Sequence, residues 1–215
     1  MLAKRDYGVT MNRKKVQRIM KENNLICIIR KKQRSNIKQI EEQYIKENVL
    51  DRQFNSQVVN TVVCGDITYL HYNNKECYLS AYVDVGSGCI LEYNLSENLD
   101  KTFIIDSTKK LLEKYPQIKI IHTDRGAQYT SGDFNKLIIE NRLIHSMSRP
   151  GTPLDNAPIE SFWGHMKDYL DLSICRTFQD VIDVVDNYML IYNNRPQWNK
   201  NKLSPIEFRE FLLAA

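Results

Sequence analysis

No apolar run in this chain approaches the roughly 20 residues that a membrane span requires, and no secretory leader is legible at its start. The five cysteines, Cys27, Cys64, Cys77, Cys89 and Cys175, form no C-x-x-C pair. Four of them lie inside apolar stretches, where a reduced core cysteine is the ordinary reading. His71 and His165 lack cysteine partners at zinc-site spacing, which argues against a zinc centre. No internal repeat is visible. These absences lead us to expect a cytoplasmic, disulfide-free protein. What is present is ordinary for a soluble globular chain: 42 % hydrophobic and 26 % charged residues. A length of 215 residues suffices for one good-sized core plus an appendage.

Charge is unevenly spread. Residues 1–50 carry 13 Lys/Arg against 5 Asp/Glu, whereas residues 51–215 carry 17 against 21. A basic arm on a mildly acidic body points to a polyanion met first by the arm; a merely solvated leader is the alternative. Within the arm, Asn12 is positioned to cap a helix running to about Glu22, with Val16, Ile19 and Met20 as its apolar face. The stretch Arg30 to Asn36 is basic and without periodicity, a weak helical pattern covers 37–48, and the domain boundary is expected near 50–57.

Strand periodicity begins beyond that boundary. Residues 60–71, 76–84 and 89–95 read as a three-strand meander turning at Asn73-Asn74-Lys75 and Gly86-Ser87-Gly88. Cys77, Leu79, Ala81 and Val83 share one face of the second strand, and Cys89, Leu91, Tyr93 and Leu95 one face of the third. A helix over 100–115, stopped by Pro116, precedes a short buried strand at 118–122, a helix at 131–141 and a strand at 143–147. The Pro- and Gly-bearing loop from Ser148 to Asp155 is expected to be irregular and to lie over a site. A helix beginning near Asn156 and a final one over 178–192 complete an α/β arrangement: a mixed five-stranded sheet flanked by helices.

Three acids stand out against this scheme. Asp66 lies in the apolar run Val62 to Leu70, Asp124 ends the run from Ile118, and Glu160 sits just inside a helix, with 35 residues between it and Asp124. Acids from two strands and a helix can form a hard-oxygen cage for divalent metal. At about 4 Å and an effective dielectric of about 20, each pair of such charges costs about 4 kcal/mol, which a cation would compensate. Read singly, they could be a strand-end surface acid, a turn residue before Gly126, and first-turn dipole compensation. His122 and His145, in apolar strand contexts, read as packed core histidines, and Asp84 beside Gly86 as a turn residue.

The segments Cys64-Gly65-Asp66-Ile67-Thr68-Tyr69, Ile121 to Tyr129 and Asp155-Asn156-Ala157-Pro158-Ile159-Glu160-Ser161-Phe162-Trp163 resemble the three catalytic blocks of retroviral-integrase-like DDE transposases. More narrowly, they are similar to the second-reading-frame (OrfB) proteins of bacterial insertion sequences, over about residues 58–210. That span includes Tyr192-Asn193-Asn194-Arg195-Pro196 and the closing Leu203-Ser204-Pro205. Residues 7–26 resemble the back half of the DNA-binding region that precedes this core in the family. Gln197 follows the Arg-Pro pair where family members often carry histidine.

The resemblance implies a ribonuclease H-like fold, a catalytic core over 58–212 behind a short helical basic segment over 1–50, and metal ligation by Asp66, Asp124 and Glu160. It implies a Glu-x6-Lys pair, Glu160 and Lys167. Seven residues at about 100° each bring Lys167 back to within roughly 20° of Glu160 on the same helix face, from where it could reach DNA. Two Mg²⁺ or Mn²⁺ ions suit the chemistry, water acting first as nucleophile and a freed 3′-hydroxyl second. Arg149, Arg195 and Lys202 are candidate phosphate contacts, as are Lys14, Lys15 and Arg18 on the arm helix. Trp163 either packs in the core or stacks on DNA. Expected partners are double-stranded DNA, further copies of the chain on paired ends, and an upstream-frame protein. The expected function is DNA cleavage and strand transfer of a mobile element. A truncated DNA-binding remnant and a ribonuclease H-like nuclease are the alternatives.

Overall fold

The computed structural model describes residues 8–25, 44–55 and 58–215. In the arm, helix α1 (Arg13–Glu22) starts where Asn12 accepts a hydrogen bond from the Lys15 amide at 2.8 Å. None of its residues is buried, so Lys14, Lys15 and Arg18 face solvent. Cys27 and most of the helical pattern read over 37–48 lie outside the described residues; residues 45–48 are not helical.

The core is a five-stranded sheet in the order β3-β2-β1-β4-β5. Strands β1 (Val62–Tyr72), β2 (Lys75–Asp84) and β3 (Ile90–Ser96) form the expected antiparallel meander. Strands β4 (Ile120–Thr123) and β5 (Ile144–Met147) then add on in parallel beside β1. Two helical layers cover the faces. On one, α2 (Lys101–Lys114) and α3 (Gly132–Glu140) bury Phe103, Ile104, Leu111, Phe134 and Ile138 against Val63, Tyr82 and Ile121. On the other, α4 (Ala157–Tyr169) and α5 (Phe178–Asn194) bury Ile159, Phe162, Val181 and Val185 against Val62, Cys64, Leu79 and Val83. Period-two alternation along β1 therefore sends odd positions to one layer and even positions to the other. This is the ribonuclease H-like arrangement that the sequence led us to expect.

Three departures from the sequence reading are physical. The register between β2 and β3 slips from Tyr82↔Glu92 to Val83↔Ile90, a bulge at Leu91. A bulge flips every following side chain. Cys89 and Leu91 thus face the α2–α3 layer, while Tyr93 and Leu95 pack toward the other. The loop before Glu160 is not wholly irregular, because Pro153–Asn156 forms a 3-10 turn running straight into α4. A last helix, α6 (Pro205–Leu213), was not anticipated. Its signal is nevertheless in the sequence, as Ser204 and Glu207 make a reciprocal capping box with Pro205 at the first helical position.

Residues 46–52 form a strap along β5. The Lys46 amide donates to Met147 Sδ at 3.4 Å, the Met147 amide to the Glu47 carbonyl at 3.2 Å, and the Val49 and Leu50 amides share Ser146 Oγ. Leu50 is buried in the α4–α5 layer. Immediately after it, Asp51 and Arg52 both adopt left-handed φ values, +40° and +61°. Such conformations cost L-residues about 1–2 kcal/mol each. Buried Leu50 on one side and the Arg52 ion pair described below on the other hold them there.

All four described cysteines are free thiols buried in the core. Among the described residues, no helix is long and apolar enough to cross a membrane.

Candidate active site

Gly65 pairs with Thr123 as the last rung of the parallel β1–β4 ladder. The next residues on each strand are Asp66 and Asp124. On its other side β1 continues antiparallel to β2, with Asp66 opposite Ala81. The two acids thus emerge where the parallel pairing stops, at the carboxyl end of β4. Crevices at such switch points are the usual ligand sites of α/β sheets. Gly65 makes room for this geometry, since a Cβ there would lie 2.5 Å from Cε1 of the buried Tyr82 ring. Gly126 serves Asp124: its amide donates to Asp124 Oδ1 at 2.8 Å, and a Cβ on it would approach that oxygen to 3.0 Å.

Asp66 is an even position of β1 and faces the layer containing α4. From that helix Trp163 Nε1 donates to Asp66 Oδ2 at 2.9 Å. The indole is 4 % exposed and its ring lies 4.9 Å from Phe162. Trp163 therefore both packs in the core and orients an acid, a role that neither of the two sequence alternatives contained. One turn before it, Glu160 stands in the first turn of α4, and Lys167 in the last. Both are exposed.

The electrostatics tie the acids together. Burial raises the Asp66 carboxyl well above the usual carboxylate range, and the Asp124 and Glu160 charges add to this. Hydrogen bonds from the Ile67 amide and Trp163 oppose the shift. Asp124, although exposed, is partly desolvated and raised, against the Gly126 hydrogen bond. Glu160, although its side chain is exposed, is partly desolvated and raised; Lys167 opposes the shift and Asp124 adds to it. Yet among the described residues no three His, Cys, Asp or Glu side chains close into a ready-made metal cage. The donor set itself fits a hard divalent ion: carboxylate oxygens whose mutual repulsion a divalent cation would relieve.

Beside the acids lies a buried polar cluster. His122, fully buried on β4, bonds Ser146 Oγ through Nδ1 at 2.8 Å and Ser148 Oγ through Nε2 at 3.1 Å. His145 bonds Thr123 Oγ1 at 2.9 Å and packs edge-on against Phe134. Both are packed core residues. Burial lowers each imidazole to about 4. The unfolded chain takes up these protons near 6.5, so stability from the neutral histidines is complete above 6.5 and is lost as pH falls toward 4. The full effect is about 3 kcal/mol per histidine. The three acids titrate with the opposite sign, so the test is a difference. Urea stability of the wild type minus that of His122→Asn should shrink by about that amount between pH 6.5 and 4. A constant difference would show that His122 gains its proton as readily folded as unfolded.

Asp155 is fully buried in the 3-10 turn, and arginines ring its carboxylate. Arg149 donates Nε to Oδ2 at 2.7 Å, Nη2 to Oδ1 at 2.8 Å and its own amide to Oδ2 at 3.1 Å; Arg52 Nε reaches Oδ1 at 2.6 Å. These bonds hold the Asp155 carboxyl far below the usual range, Arg149 contributing most. Arg149 also pairs with Asp51 at 3.3 Å. A guanidinium read as a phosphate contact is thus committed within the protein. Arg195, exposed at the end of α5, borders a groove of about 620 Å³ that it shares with Ser161 and His165 of α4 and with Tyr169, Tyr188 and Trp198. Lys202 lies over the Trp198 ring at 5.2 Å. Asp84 accepts from the Asn60 and Ser87 amides, both at 2.7 Å, which is the turn role expected of it.

Comparison with known proteins agrees with this architecture. Integrase core domain families match residues 57–153 and 141–199, and an HTH-like domain family matches residues 1–33. The putative transposase InsK for insertion sequence element IS150 of Escherichia coli K12 is 32 % identical over 212 residues, covering 94 % of this chain and 72 % of its own. The insertion element IS600 uncharacterized 31 kDa protein of Shigella sonnei is 31 % identical over 211 residues, with 95 % and 77 % covered. Among solved structures, the HTLV-2 integrase catalytic core domain in complex with magnesium superposes with a TM-score of 0.56. It has 16 % identity and covers 71 % of this chain and 97 % of that one. A chain of the simian T-cell lymphotropic virus intasome gives a TM-score of 0.58 at 17 % identity, covering 80 % and 59 %. With two such relatives matched along nearly all of its length, this chain belongs to the insertion-sequence transposases, DDE enzymes with an HTH-like domain and an integrase core.

Proposed function

We propose that Asp66, Asp124 and Glu160 together hold two Mg²⁺ or Mn²⁺ ions and that the chain uses them to cut DNA at an element end and join the freed 3′-hydroxyl to target DNA. The observation carrying this reading is the convergence of two acids at the end of the β1–β4 ladder with a third on the facing helix, each with a raised carboxyl pKa. When bound, such ions activate an attacking oxygen and stabilise a leaving one. The chain supplies the rest. The Trp163 and Gly126 N–H groups orient Asp66 and Asp124. Lys167, on the same helix as Glu160, holds a DNA phosphate or base beside the site, and Arg195 extends that cationic edge. No side chain need become covalently attached to DNA.

We further propose that residues 1–50 contribute DNA binding through Lys14, Lys15 and Arg18, and that residues 58–212 form the catalytic core, with the strap at 46–52 packed onto it. Double-stranded DNA is the partner, further copies of this chain assemble on paired ends, and an upstream-frame protein is an additional component. The test is joining of a pre-cut 3′-hydroxyl end to plasmid DNA with Mg²⁺ or Mn²⁺, and with EDTA as control. Metal-dependent joining supports the proposal. Cutting without joining would favour the ribonuclease H-like nuclease, and binding with neither would favour a DNA-binding remnant.

A further inference from the structure

We propose that Arg52 and Asp155 are positioning residues for Glu160: the Arg52–Asp155–Arg149 cluster sets where α4 begins, and hence where Glu160 stands relative to Asp66 and Asp124. The inference rests on the reading of Glu160 as a metal ligand. Asp155 lies five residues before Glu160, in the 3-10 turn that continues into α4. It is fully buried, and its carboxylate accepts three hydrogen bonds from Arg149 and one from Arg52. A buried charge so bound cannot shift without leaving donors behind, so it anchors the helix start.

The other end of the anchor leads to Asp124. The Ser148 amide donates to the Thr123 carbonyl at 2.9 Å, and Arg125 Nε donates to the Ser148 carbonyl at 2.9 Å. Ser148 is therefore held by the residues flanking Asp124 on both sides, and its chain neighbour Arg149, through Asp155, holds the start of the helix bearing Glu160. Arg52 adds a third attachment, from the strap that ends the segment downstream of the arm. Its delivery needs two successive left-handed residues, Asp51 and Arg52, which that pairing helps to hold together with Leu50 burial, the Asp51 amide bond to Asn48 and the Arg149–Asp51 ion pair. The strap is thereby wired to the catalytic helix rather than merely laid against the sheet.

The competing role is phosphate contact, since the Arg52 and Arg149 side chains are 43 % and 48 % exposed. The two roles separate cleanly. Tb³⁺ is titrated into the full chain carrying Trp198→Phe, and its luminescence is read through Trp163, which touches Asp66. Arg52→Ala should weaken Tb³⁺ binding and DNA joining together by about 10- to 100-fold, with DNA affinity unchanged and the protein, though melting lower for the loss of a partner to a buried charge, still folded at the assay temperature. Arg52→Lys should restore most of both, because Arg52 gives a single bond. Arg149→Lys should not, because Arg149 gives two side-chain bonds to both oxygens. Loss of DNA affinity in Arg52→Ala, with a salt dependence shallower by about 0.9, would overturn the proposal in favour of phosphate contact. Unchanged Tb³⁺ binding and joining would overturn it outright. The Glu160→Gln control keeps the premise separate: if it binds Tb³⁺ like the wild type, the metal reading of Glu160 has failed, and the positioning role fails with it.

Discussion

Asp66→Asn, Asp124→Asn and Glu160→Gln are each expected to reduce strand joining by about a thousandfold or more while leaving DNA affinity nearly unchanged. The substitutions keep volume and hydrogen-bonding capacity but remove the charge that a cation needs. They also relieve repulsion, so the expected companion result is equal or greater thermal stability in the absence of metal. That pairing follows from the raised carboxyl pKa values, which mean that ionising these acids opposes folding when no cation is present. Single-turnover joining and fluorescence-anisotropy DNA binding, measured on the same preparations, decide the matter. Substantial joining by any one variant would remove that residue from the metal site. The three losses should also be non-additive, since one missing ligand already disables the unit.

Phe162→Ala should be the most damaging core substitution among those that leave the acids in place. Phe162 is fully buried, with its ring centroid 4.9 Å from Trp163, 4.8 Å from Tyr192 and 6.1 Å from Tyr188. It joins α4 to α5 at the level where Trp163 bonds Asp66. Removing it costs about 3–5 kcal/mol by lost burial and cavity formation. Phe162→Leu, retaining most of the volume, should cost well under half of that. Urea denaturation measures both. A loss below about 1 kcal/mol for the alanine variant would mean that the two helices collapse onto the vacated space. Joining by Phe162→Ala should fall even at low temperature where the protein is folded, because the Trp163 indole loses a packing surface and Asp66 its fixed donor.

The sheet was legible because its strands alternate and its turns carry Asn-Asn and Gly-Ser-Gly, and the three acids stood out because Asp66 interrupts an apolar strand, Asp124 follows the end of another and Glu160 opens a helix. What local pattern does not carry is register. The bulge at Leu91 depends on the fit of β3 against β2 and α5, where Asn193 binds the Ile90 backbone at both its amide and its carbonyl. Nor does spacing reveal which partner a polar side chain takes. Trp163 to Asp66 and Arg52 to Asp155 cross 97 and 103 residues of chain, and nothing near any of the four residues marks the other. The α6 helix is a different kind of omission, since its Ser-Pro-x-Glu start is a local signal.

The parallel rung between Gly65 and Thr123 has a temporal consequence. Asp66 and Asp124 become neighbours only after two hairpins and a helix have been threaded between them, and Glu160 joins only when α4 docks. The meander of β1, β2 and β3 is built from nearby residues and can assemble early, but it holds a single acid of the three. Contacts between segments so distant in sequence form late and slowly. On the ribosome, the N-terminal portion emerges and begins to fold first. The arm proposed to bind DNA therefore emerges well before the chain carries the three acids proposed to cut it.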